Sequence, residues 1–435
     1  MRTIFKNAVV WIITLQARAV LNKYKPKIVA VTGSVGKTST KDAIYAVLAK
    51  SYRVRKSEKS FNSEIGLPLT ILGAPNAWSN PLRWLANIVD GLFLIWFDAP
   101  YPEWLVLEVG ADRPGDIRSL AGWLPVDIAV ITRLPEVPVH VEFFDSPEAV
   151  VEEKASLIDA IKPGGVLALF ADDPRTLGLQ HRLPAPDARI ITFGFGEGAD
   201  VRGEHVALLR EQGAETWPIG MTAQITADGV TVPLEAAGAV GPHAFLPALA
   251  AAAVGRALNK HLGDIVCALE SYDPPPGRMR LVPGIKNTLI IDDTYNASPA
   301  AAVAALDTLA MIAPKGRKIF AIGDMLELGR HSVEEHRKVG VHAAATADFL
   351  VTVGFRARDI AEAALDNGMP ENNILQFEDS GKAGRELQNL LAEGDCILVK
   401  GSQSVRMERV VEELMQEPEQ AERLLVRQDA EWKKR

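Results

Sequence analysis

The chain has 435 residues, of which 48% are hydrophobic, and a formal net charge of −8. One ordinary core seldom extends over that length, so the sequence predicts two or three domains. The acidic balance provides no global basic field to hold nucleic acid or an anionic membrane, and we therefore expect no nucleic-acid partner. Cys267 and Cys396 are far apart and fit no metal-binding spacing, which is typical of a protein kept in a reducing cytoplasm.

The N-terminal segment shows some features of a secretion signal. A short apolar run over residues 8–13 follows two basic residues and precedes Ala17-Arg18-Ala19, which resembles a signal-peptidase site. A nucleotide-type loop follows almost at once, however, and a secreted protein would not meet ATP. We therefore predict an ordinary amphipathic helix over residues 4–21, within an N-terminal helical segment 1–26.

A second apolar segment runs from Trp84 to Phe97 and is shorter than the roughly 20 residues that a transmembrane helix needs. Ser79 or Asn80 is a suitable helix cap. The pattern favours a helix packed on the domain or on a second subunit through one apolar stripe, made of Leu85, Ile88, Val89, Leu92 and Trp96. The alternative is a peripheral contact with a membrane surface, supported by three residues off the main stripe: Phe93, Leu94 and Phe97.

Buried strands alternating with helices are predicted in the first two thirds of the chain. The alternation is typical of an α/β fold with a mostly parallel sheet covered on both faces, with strands over 27–32, 104–109, 127–132 and 166–170. Residues 201–234 are short, alternating and polar, with Asp228-Gly229 as a hairpin turn. They predict a small antiparallel insert in a central domain that spans residues 27–273.

The run Asp273-Pro274-Pro275-Pro276-Gly277 predicts a linker, because consecutive prolines stop helices. A second alternating series follows, with strands over 288–292, 318–322, 349–353 and 396–400 and helices near 299–312, 332–346 and 403–416. We predict a second, Rossmann-like α/β domain over 274–435. The highly charged tail beyond Glu417 predicts a solvated helix or a frayed end.

A phosphate-binding loop is predicted between the first strand and the next helix. Glycines let backbone N–H groups turn toward phosphate oxygens, and the helix N-terminus adds its dipole. Lys37 would neutralise the β- and γ-phosphates, and the Thr38 hydroxyl would reach Mg²⁺. The alternative is a Gly-rich turn with an exposed lysine, and kinases, GTPases and motor ATPases all stay open. The residues predicted to hold the phosphates are Gly33, Ser34, Val35, Gly36, Lys37, Thr38 and Ser39.

Two further polar residues are expected at the same edge of the sheet. Glu108 lies near the end of a predicted strand, where a carboxylate is well placed for a metal, although it could equally be a solvent-facing strand end. His140 follows the strand 127–132 after a short loop. A lone histidine is more often structural, but here it joins Thr38 and Glu108. These three polar groups are thus expected at the same edge of one sheet.

Taken together, these segments resemble the Mur ligase family. Residues 33–38 resemble its nucleotide loop, and 62–70 the segment after it. Residues 108–111 and 140–142 resemble its two metal-contacting segments. In the C-terminal half, Pro276-Gly277-Arg278 resembles the family arginine near the domain junction. Three further segments are similar to the branch that adds D-alanyl-D-alanine: 292–299, 323–329 and 400–402. The match covers roughly residues 27–412, and no P-loop kinase or GTPase would carry this set.

The resemblance implies an ATP-dependent ligase that adds D-alanyl-D-alanine to a muramoyl-peptide carboxylate through an acyl phosphate, in peptidoglycan precursor synthesis. Two Mg²⁺ ions would offset the crowded negative charge. One ion would lie on Thr38 with Glu108 nearby, and the second on His140, oriented by Lys154, which stands where the family often has a carbamylated lysine. The implied catalytic set is Lys37, Glu108, His140 and Lys154. Arg278, Asp293, Tyr295 and Asn296 would help to bind the nucleotide from the C-terminal domain, which implies a closing motion.

Some features depart from the family pattern. Three-domain Mur ligases begin with a domain that holds the UDP-sugar, whereas about 26 residues precede the first predicted strand here. We therefore expect the UDP end to contribute little to recognition, unless segments 4–21 and 84–97 rebuild a pocket. Two other functions stay open: a related ligase with a different acceptor or amine, and a non-catalytic nucleotide-binding partner of wall synthesis. The complete catalytic set argues against the second, and the segment 323–329 argues against the first.

Overall fold

The computed structural model describes residues 2–58, 64–77, 80–183, 187–210 and 217–433. Asn62 and Ser63 of the family-like segment 62–70, and the alternative helix cap Ser79, lie outside these residues. The described chain forms two separate β-sheets, each flanked by helices. No helix among the described residues combines the length and the apolar character needed to cross a membrane.

The first sheet contains nine strands within the described ranges, in the order β2-β3-β1-β4-β5-β6-β7-β8-β9. Its strands are β1 (Lys27–Thr32), β2 (Val54–Lys56), β3 (Trp104–Glu108), β4 (Val126–Ile131), β5 (Ile161–Phe170), β6 (Arg189–Gly194), β7 (Val201–Leu209), β8 (Gly220–Ala227) and β9 (Val230–Ala237). The pairings from β2 to β7 are parallel, and β7, β8 and β9 pair antiparallel. The predicted mostly parallel sheet is therefore confirmed, and the antiparallel insert extends that same sheet.

The hairpin predicted at Asp228-Gly229 connects β8 to β9. Both residues have positive φ values, 49° and 75°. Such a turn matches the right-handed twist of the strands that it joins, and Asp-Gly is a preferred sequence for it.

The helices of the first part are α1 (Arg2–Tyr24), α2 (Lys37–Ala49), α3 (Gly66–Leu72), α4 (Pro81–Trp96), α5 (Asp116–Ala121), α6 (Pro147–Ala155), α7 (Pro174–Gly178), α8 (Pro242–Ala257) and α9 (Leu262–Glu270). They cover both faces of the sheet. In β1, Val29 and Val31 belong to the same core as α2 and α8, whereas Ile28 and Ala30 belong to the core with α1 and α3. This alternation follows from the two-residue period of a strand, and it explains why β1 is an almost continuous apolar run.

The position of α4 corrects the expectation that its apolar stripe packs on the domain. Asn80 caps the helix by accepting hydrogen bonds from the backbone of Leu82 and Arg83. Three stripe residues nevertheless face solvent: Leu85, Val89 and Trp96. The reason is that α1 already covers the sheet with its own buried face, so α4 packs outside α1 and α3.

The second sheet has the order β10-β11-β15-β12-β13-β14, with β10 antiparallel and the others parallel. Its strands are β10 (Arg280–Gly284), β11 (Thr288–Asp293), β12 (Lys318–Gly323), β13 (Phe349–Val353), β14 (Ile374–Phe377) and β15 (Cys396–Lys400). Its helices are α10 (Pro299–Met311), α11 (Ser332–Thr346), α12 (Arg358–Asp366), α13 (Ser380–Leu390), α14 (Glu408–Leu414), α15 (Ala421–Leu424) and α16 (Ala430–Lys433). The predicted second α/β unit is confirmed.

Two details of the C-terminal part differ from expectation. The helix predicted near 403–416 is interrupted at Arg406, whose φ is 61°, and only α14 is α-helical. The tail beyond Glu417 is packed against the sheet unit, because Arg427 pairs with the buried Glu408 at 2.8 Å. Glu408 also pairs with Arg406, so the tail adds a second cation to this buried carboxylate, a partner that its charged composition does not reveal.

Two connections between the sheet units lie side by side. The chain passes through the proline-rich segment 273–276, and a short backbone ladder joins the units beside it. Val240 N–H donates to Met279 O at 3.1 Å, and Leu281 N–H donates to Gly238 O at 2.9 Å. The predicted domain boundary at residue 273 lies next to this ladder and stays a prediction.

Candidate active site

A cavity of about 610 Å³ lies between the two sheet units, at the carboxyl ends of their parallel strands. The first unit contributes the loop after β1, the end of β3 and the loop after β4. The second contributes the ends of β11 and β15 and the loop after β12. Such a position is the usual ligand site of open parallel sheets.

The loop after β1 is shaped by two glycines. Gly33 has a φ of 141°, and a side chain there would meet Thr132 Oγ1 at 2.0 Å. Gly36 has a φ of 84° and directly precedes α2. Residues 34–39 line the cavity, whereas Gly33 is not among its lining residues. The N-terminus of α2 is therefore presented to the cavity, as a phosphate site requires.

Lys37 lies at this helix N-terminus, and its Nζ donates to Gly33 O at 2.9 Å. Burial lowers the pKa of Lys37, and Arg278 adds to this effect, while Glu108 and Asp112 oppose it. A half-buried cation of this kind gains from an anion placed beside it. The arrangement suits a phosphate group.

Glu108 is buried at the carboxyl end of β3. The parallel register pairs it with Val31 of β1, which places it directly beside the phosphate-type loop. Its backbone N–H donates to Ser57 Oγ at 3.2 Å. The predicted proximity of Glu108 to Thr38 and Lys37 follows from this register.

His140 has a left-handed backbone, with a φ of 71°, and begins a 3₁₀ turn over Val141–Phe143. Its Nδ1 lies 2.6 Å from Glu327 Oε2, and its Nε2 lies 3.7 Å from Asp112 Oδ1. The hydrogen bond from His140 lowers the pKa of Glu327, against the opposing effect of burial. His140 is thus held between carboxylates from the two sheet units.

Lys154 is fully buried on α6. Burial, with repulsion from Lys37, lowers the pKa of Lys154 to about 7, although Asp112 and Glu153 oppose the shift. The neighbouring Glu153 is occupied, because its carboxylate accepts hydrogen bonds from the backbone N–H groups of Gly115, Ile117 and Arg118. Lys154 consequently has a substantial neutral fraction near pH 7, and a neutral amine is the nucleophilic form.

The predicted nucleotide residues of the second unit also line the cavity. The Arg278 guanidinium lies over the Tyr295 ring, 3.9 Å from its centroid. Asp293 forms an ion pair with Lys400, whose Nζ also donates to Asn296 O at 3.1 Å. The ion pair of Asp293 and Lys400 therefore holds the loop after β11 in place. Arg278 and Tyr295, stacked on each other, present a flat surface to the cavity.

The predicted metal ligands Thr38, Glu108 and His140 line the same cavity. Across the described ranges, no group of three His, Cys, Asp or Glu side chains is arranged to hold a metal ion. Mg²⁺ is usually bound through one or two carboxylates together with phosphates and water, so such a group is not required. The carboxylate and hydroxyl suit Mg²⁺ well, and an imidazole less so.

Several cavity residues received no individual role from the sequence: Arg113, Arg133, His243, Glu327 and Gln403. Arg133 stands just after β4, and this position near a strand end is a signal of the same kind as that of Glu108. Burial, with repulsion from Arg133, lowers the pKa of His243 to about 4. Glu327 lies inside the family-like segment 323–329, but its contact with His140 depends on how the two units meet.

Comparison with known proteins gives a consistent result across the chain. The model described as Mur ligase middle domain matches residues 31–81 and 93–255, and the model described as Mur ligase, glutamate ligase domain, matches residues 277–403. The UDP-N-acetylmuramoyl-tripeptide–D-alanyl-D-alanine ligase of Bacillus subtilis is 30% identical over 403 residues, covering 92% of this chain and 79% of that relative. The ligase of the same name from Escherichia coli is 28% identical, covering 90% and 77%.

A solved structure agrees with these relatives. The MurF ligase from Thermotoga maritima in complex with ADP superposes with a TM-score of 0.75 and 29% sequence identity, covering 95% of this chain and 84% of that one. The resemblance therefore extends over both sheet units and the cavity between them.

Proposed function

The chain belongs to the Mur ligase family, and we propose that it joins D-alanyl-D-alanine to the carboxylate of a UDP-N-acetylmuramoyl tripeptide in peptidoglycan precursor synthesis. It is an ATP-dependent ligase. The observation that carries the proposal is the cavity itself, which brings the phosphate-type loop of the first unit against Arg278 and Tyr295 of the second. The name shared by the relatives supports the choice of substrates.

The chemistry begins with an unreactive carboxylate, whose oxyanion is a poor leaving group. Transfer of the γ-phosphoryl group of ATP to that carboxylate gives ADP and an acyl phosphate. The amine of D-alanyl-D-alanine then attacks the acyl carbon, and phosphate departs from the tetrahedral intermediate. Lys37 and the N-terminus of α2 would stabilise the charge on the transferred phosphoryl group, because both are directed at the cavity.

Mg²⁺ belongs to the proposal as the group that neutralises phosphate and carboxylate oxygens where they meet. Thr38 and Glu108 would hold one ion and His140 a second. We propose that Lys154 carries a carbamate that orients the His140 side of the site. Its pKa of about 7 supports this, because a neutral amine can react with CO₂.

The second unit would close over the nucleotide. Arg278, Tyr295 and Asn296 are proposed to contact the nucleoside and phosphates, with Asp293 and Lys400 holding their loop. We propose a division into a central ATP-binding domain, residues 27–273, and a C-terminal domain, residues 274–435. We also propose that the protein is located in the cytoplasm. Contacts from both sides would exclude water, which matters because an acyl phosphate hydrolyses.

The test is phosphate release by the purified protein across a matrix of acceptors and amines. The acceptors are the UDP-linked muramoyl tripeptide, its shorter dipeptide form and muramic acid, and the amines are D-alanyl-D-alanine, L-alanyl-L-alanine and single amino acids. We expect turnover only when the tripeptide and D-alanyl-D-alanine are both present. Turnover with a different pair would support the related ligase of altered specificity instead. ATP binding without turnover of any pair would favour the non-catalytic alternative.

A further inference from the structure

The outer side of α4 carries an unusual surface. Its large apolar residues recur at helical spacing and continue just past the helix end, and each is at least 55% exposed. We call this surface the α4 face; its residues are Leu82, Leu85, Val89, Phe93, Trp96 and Phe97. Single exposed apolar side chains are ordinary, but a continuous row of six along one helix marks an interaction site.

The neighbouring helix enlarges the α4 face. Gln16 Nε2 donates to Ile88 O at 2.8 Å, and Lys23 Nζ donates to Phe97 O at 2.6 Å, so α1 and α4 run side by side in the same direction. On the outer side of α1, Trp11 and Leu15 are 66% and 43% exposed. They add an aromatic and an aliphatic residue beside the N-terminal half of α4.

The orientation of α4 is fixed by its inner side. Trp84, Asn87 and Gly91 are buried, and Asn87 Nδ2 donates to Pro75 O at 2.8 Å. A side chain at Gly91 would meet Gln16 Oε1 at 2.6 Å, so the two helices approach closely there. The fold therefore holds the apolar row outward, away from the core.

Charge is distributed unevenly around this surface. The chain has a net charge of −8, yet no Asp or Glu occurs between residues 2 and 41. Four exposed cations lie along α1 and just beyond it: Arg18, Lys23, Lys25 and Lys27. Arg83 adds a fifth on α4, against Asp90 and Asp98, the latter paired with Lys23 at 3.2 Å. The surroundings of the α4 face are thus locally basic on an acidic protein.

We propose that the α4 face attaches the protein to the surface of an anionic lipid bilayer, with α4 lying in the plane of the interface. Interfacial helices bury an apolar side rich in Trp, Phe and Leu below the headgroups, while nearby Lys and Arg contact anionic lipids. A helix of 16 residues is too short to span the bilayer, which takes roughly 20. A second copy of the chain fits less well, because a two-fold contact would bring two basic surroundings together.

This attachment is independent of the proposed ligase reaction. Among the residues of α1 and α4 whose side chains the structure describes, none lines the cavity between the sheet units. Binding through the α4 face would therefore leave the cavity open to substrates. Ligase activity measured without lipid serves as a separate readout, since changes on α4 should leave it unaltered.

Flotation of the full chain with lipid vesicles tests the proposal. Vesicles of phosphatidylglycerol and phosphatidylcholine are compared with vesicles of phosphatidylcholine alone. The variant is Phe93→Ser combined with Trp96→Ser, and the matched control is Phe355→Ser, an equally exposed aromatic in the second unit. We expect the parent and the control to bind the anionic vesicles, less strongly at high salt, and the double variant to bind about tenfold less or weaker.

Two vesicle results would overturn the proposal: equal binding of parent and double variant to anionic vesicles, or no binding by either. If neither binds, and light scattering finds the parent dimeric and the double variant monomeric, the α4 face belongs to a contact with a second copy. Circular dichroism and lipid-free ligase activity of the double variant verify that it is folded.

Discussion

Glu327 Oε2 lies 2.6 Å from His140 Nδ1, although the two residues belong to different sheet units. The surrounding backbone reinforces this contact, because Glu142 N–H donates to Glu327 O at 3.3 Å. The loop that carries Glu327 is itself anchored, since Met325 N–H donates to the buried His336 and Leu326 N–H to Ser402 Oγ. A proposed metal ligand of one unit is therefore positioned by the other.

Glu327→Ala is expected to lower kcat/KM for ligation by about 10–100-fold, the range for partners that orient a metal-binding histidine. Added Mg²⁺ should recover part of the loss. The assay is kcat/KM across a Mg²⁺ titration, with Glu378→Ala, an exposed glutamate of the same unit, as control. A Glu327→Ala protein that matches the control at every Mg²⁺ concentration would show that the contact has no catalytic role.

Lys37→Ala should abolish ligation while the fold persists. The variant removes the cation nearest the transferred phosphoryl group, and the loss of one such charge-stabilising donor costs about 3 kcal/mol or more. Lys50→Ala, an exposed lysine just past the other end of α2, is the control. Phosphate release and thermal unfolding are measured for both. Near-normal turnover by folded Lys37→Ala would disprove the phosphate site.

Glu108→Gln and His140→Ala should each raise the Mg²⁺ concentration needed for half-maximal activity. Both side chains line the cavity, and each change removes a proposed metal contact. The control is Glu103→Gln, an exposed glutamate directly before β3, the strand that ends at Glu108. Titration curves of the two variants that overlay those of the parent would place the metal elsewhere.

A carbamate on Lys154 should depend on pH in a defined direction. The pKa of Lys154 is lowered to about 7, so its amine is mostly neutral above pH 7 and mostly protonated toward pH 6. Because only the neutral amine reacts with CO₂, the carbamate should form above pH 7 and be lost below it. Carbon NMR with labelled bicarbonate measures this, with Lys154→Met as the reference. A signal that persists unchanged in Lys154→Met would belong to another lysine.

Arg427→Ala should destabilise the protein by about 1–3 kcal/mol, the usual cost of depriving a buried polar group of one hydrogen-bond partner, because Glu408 keeps its second cation, Arg406. Its partner Glu408 is fully buried, and Arg427 also donates to the Tyr295 carbonyl at 3.0 Å. Arg358→Ala, which breaks an exposed pair, should cost about 1 kcal/mol or less. Denaturant unfolding measures both. Equal losses of unfolding free energy in the two variants would mean that the tail does not stabilise the second unit.

Local sequence predicted the strands well where burial on both faces imposes an apolar run. Phe349–Val353 and Cys396–Lys400 begin and end where expected, because polar residues or glycine flank them. The convergence of Lys37, Glu108 and Lys154 on one cavity was also predictable, since family motifs and the shared edge of parallel strands both indicated it.

What the sequence did not predict depends on partners distant along the chain. The outward side of α4 is determined by α1, which already occupies the sheet. The packing of the tail depends on Glu408, whose burial is invisible in a charged segment. The contact between Glu327 and His140 depends on the relative placement of two units, which no local pattern encodes.

The short ladder beside the proline-rich segment restricts how the cavity can change its width. Val240 and Leu281 donate across it, and glycines with positive φ, Gly238 and Gly241, stand at its edge. The second unit is therefore not free to move in every direction, because sliding it along the first unit would break these hydrogen bonds. A swing about the ladder is the motion that keeps both hydrogen bonds. Such a swing would widen the cavity for exchange of ADP and ATP, and it would separate Glu327 from His140.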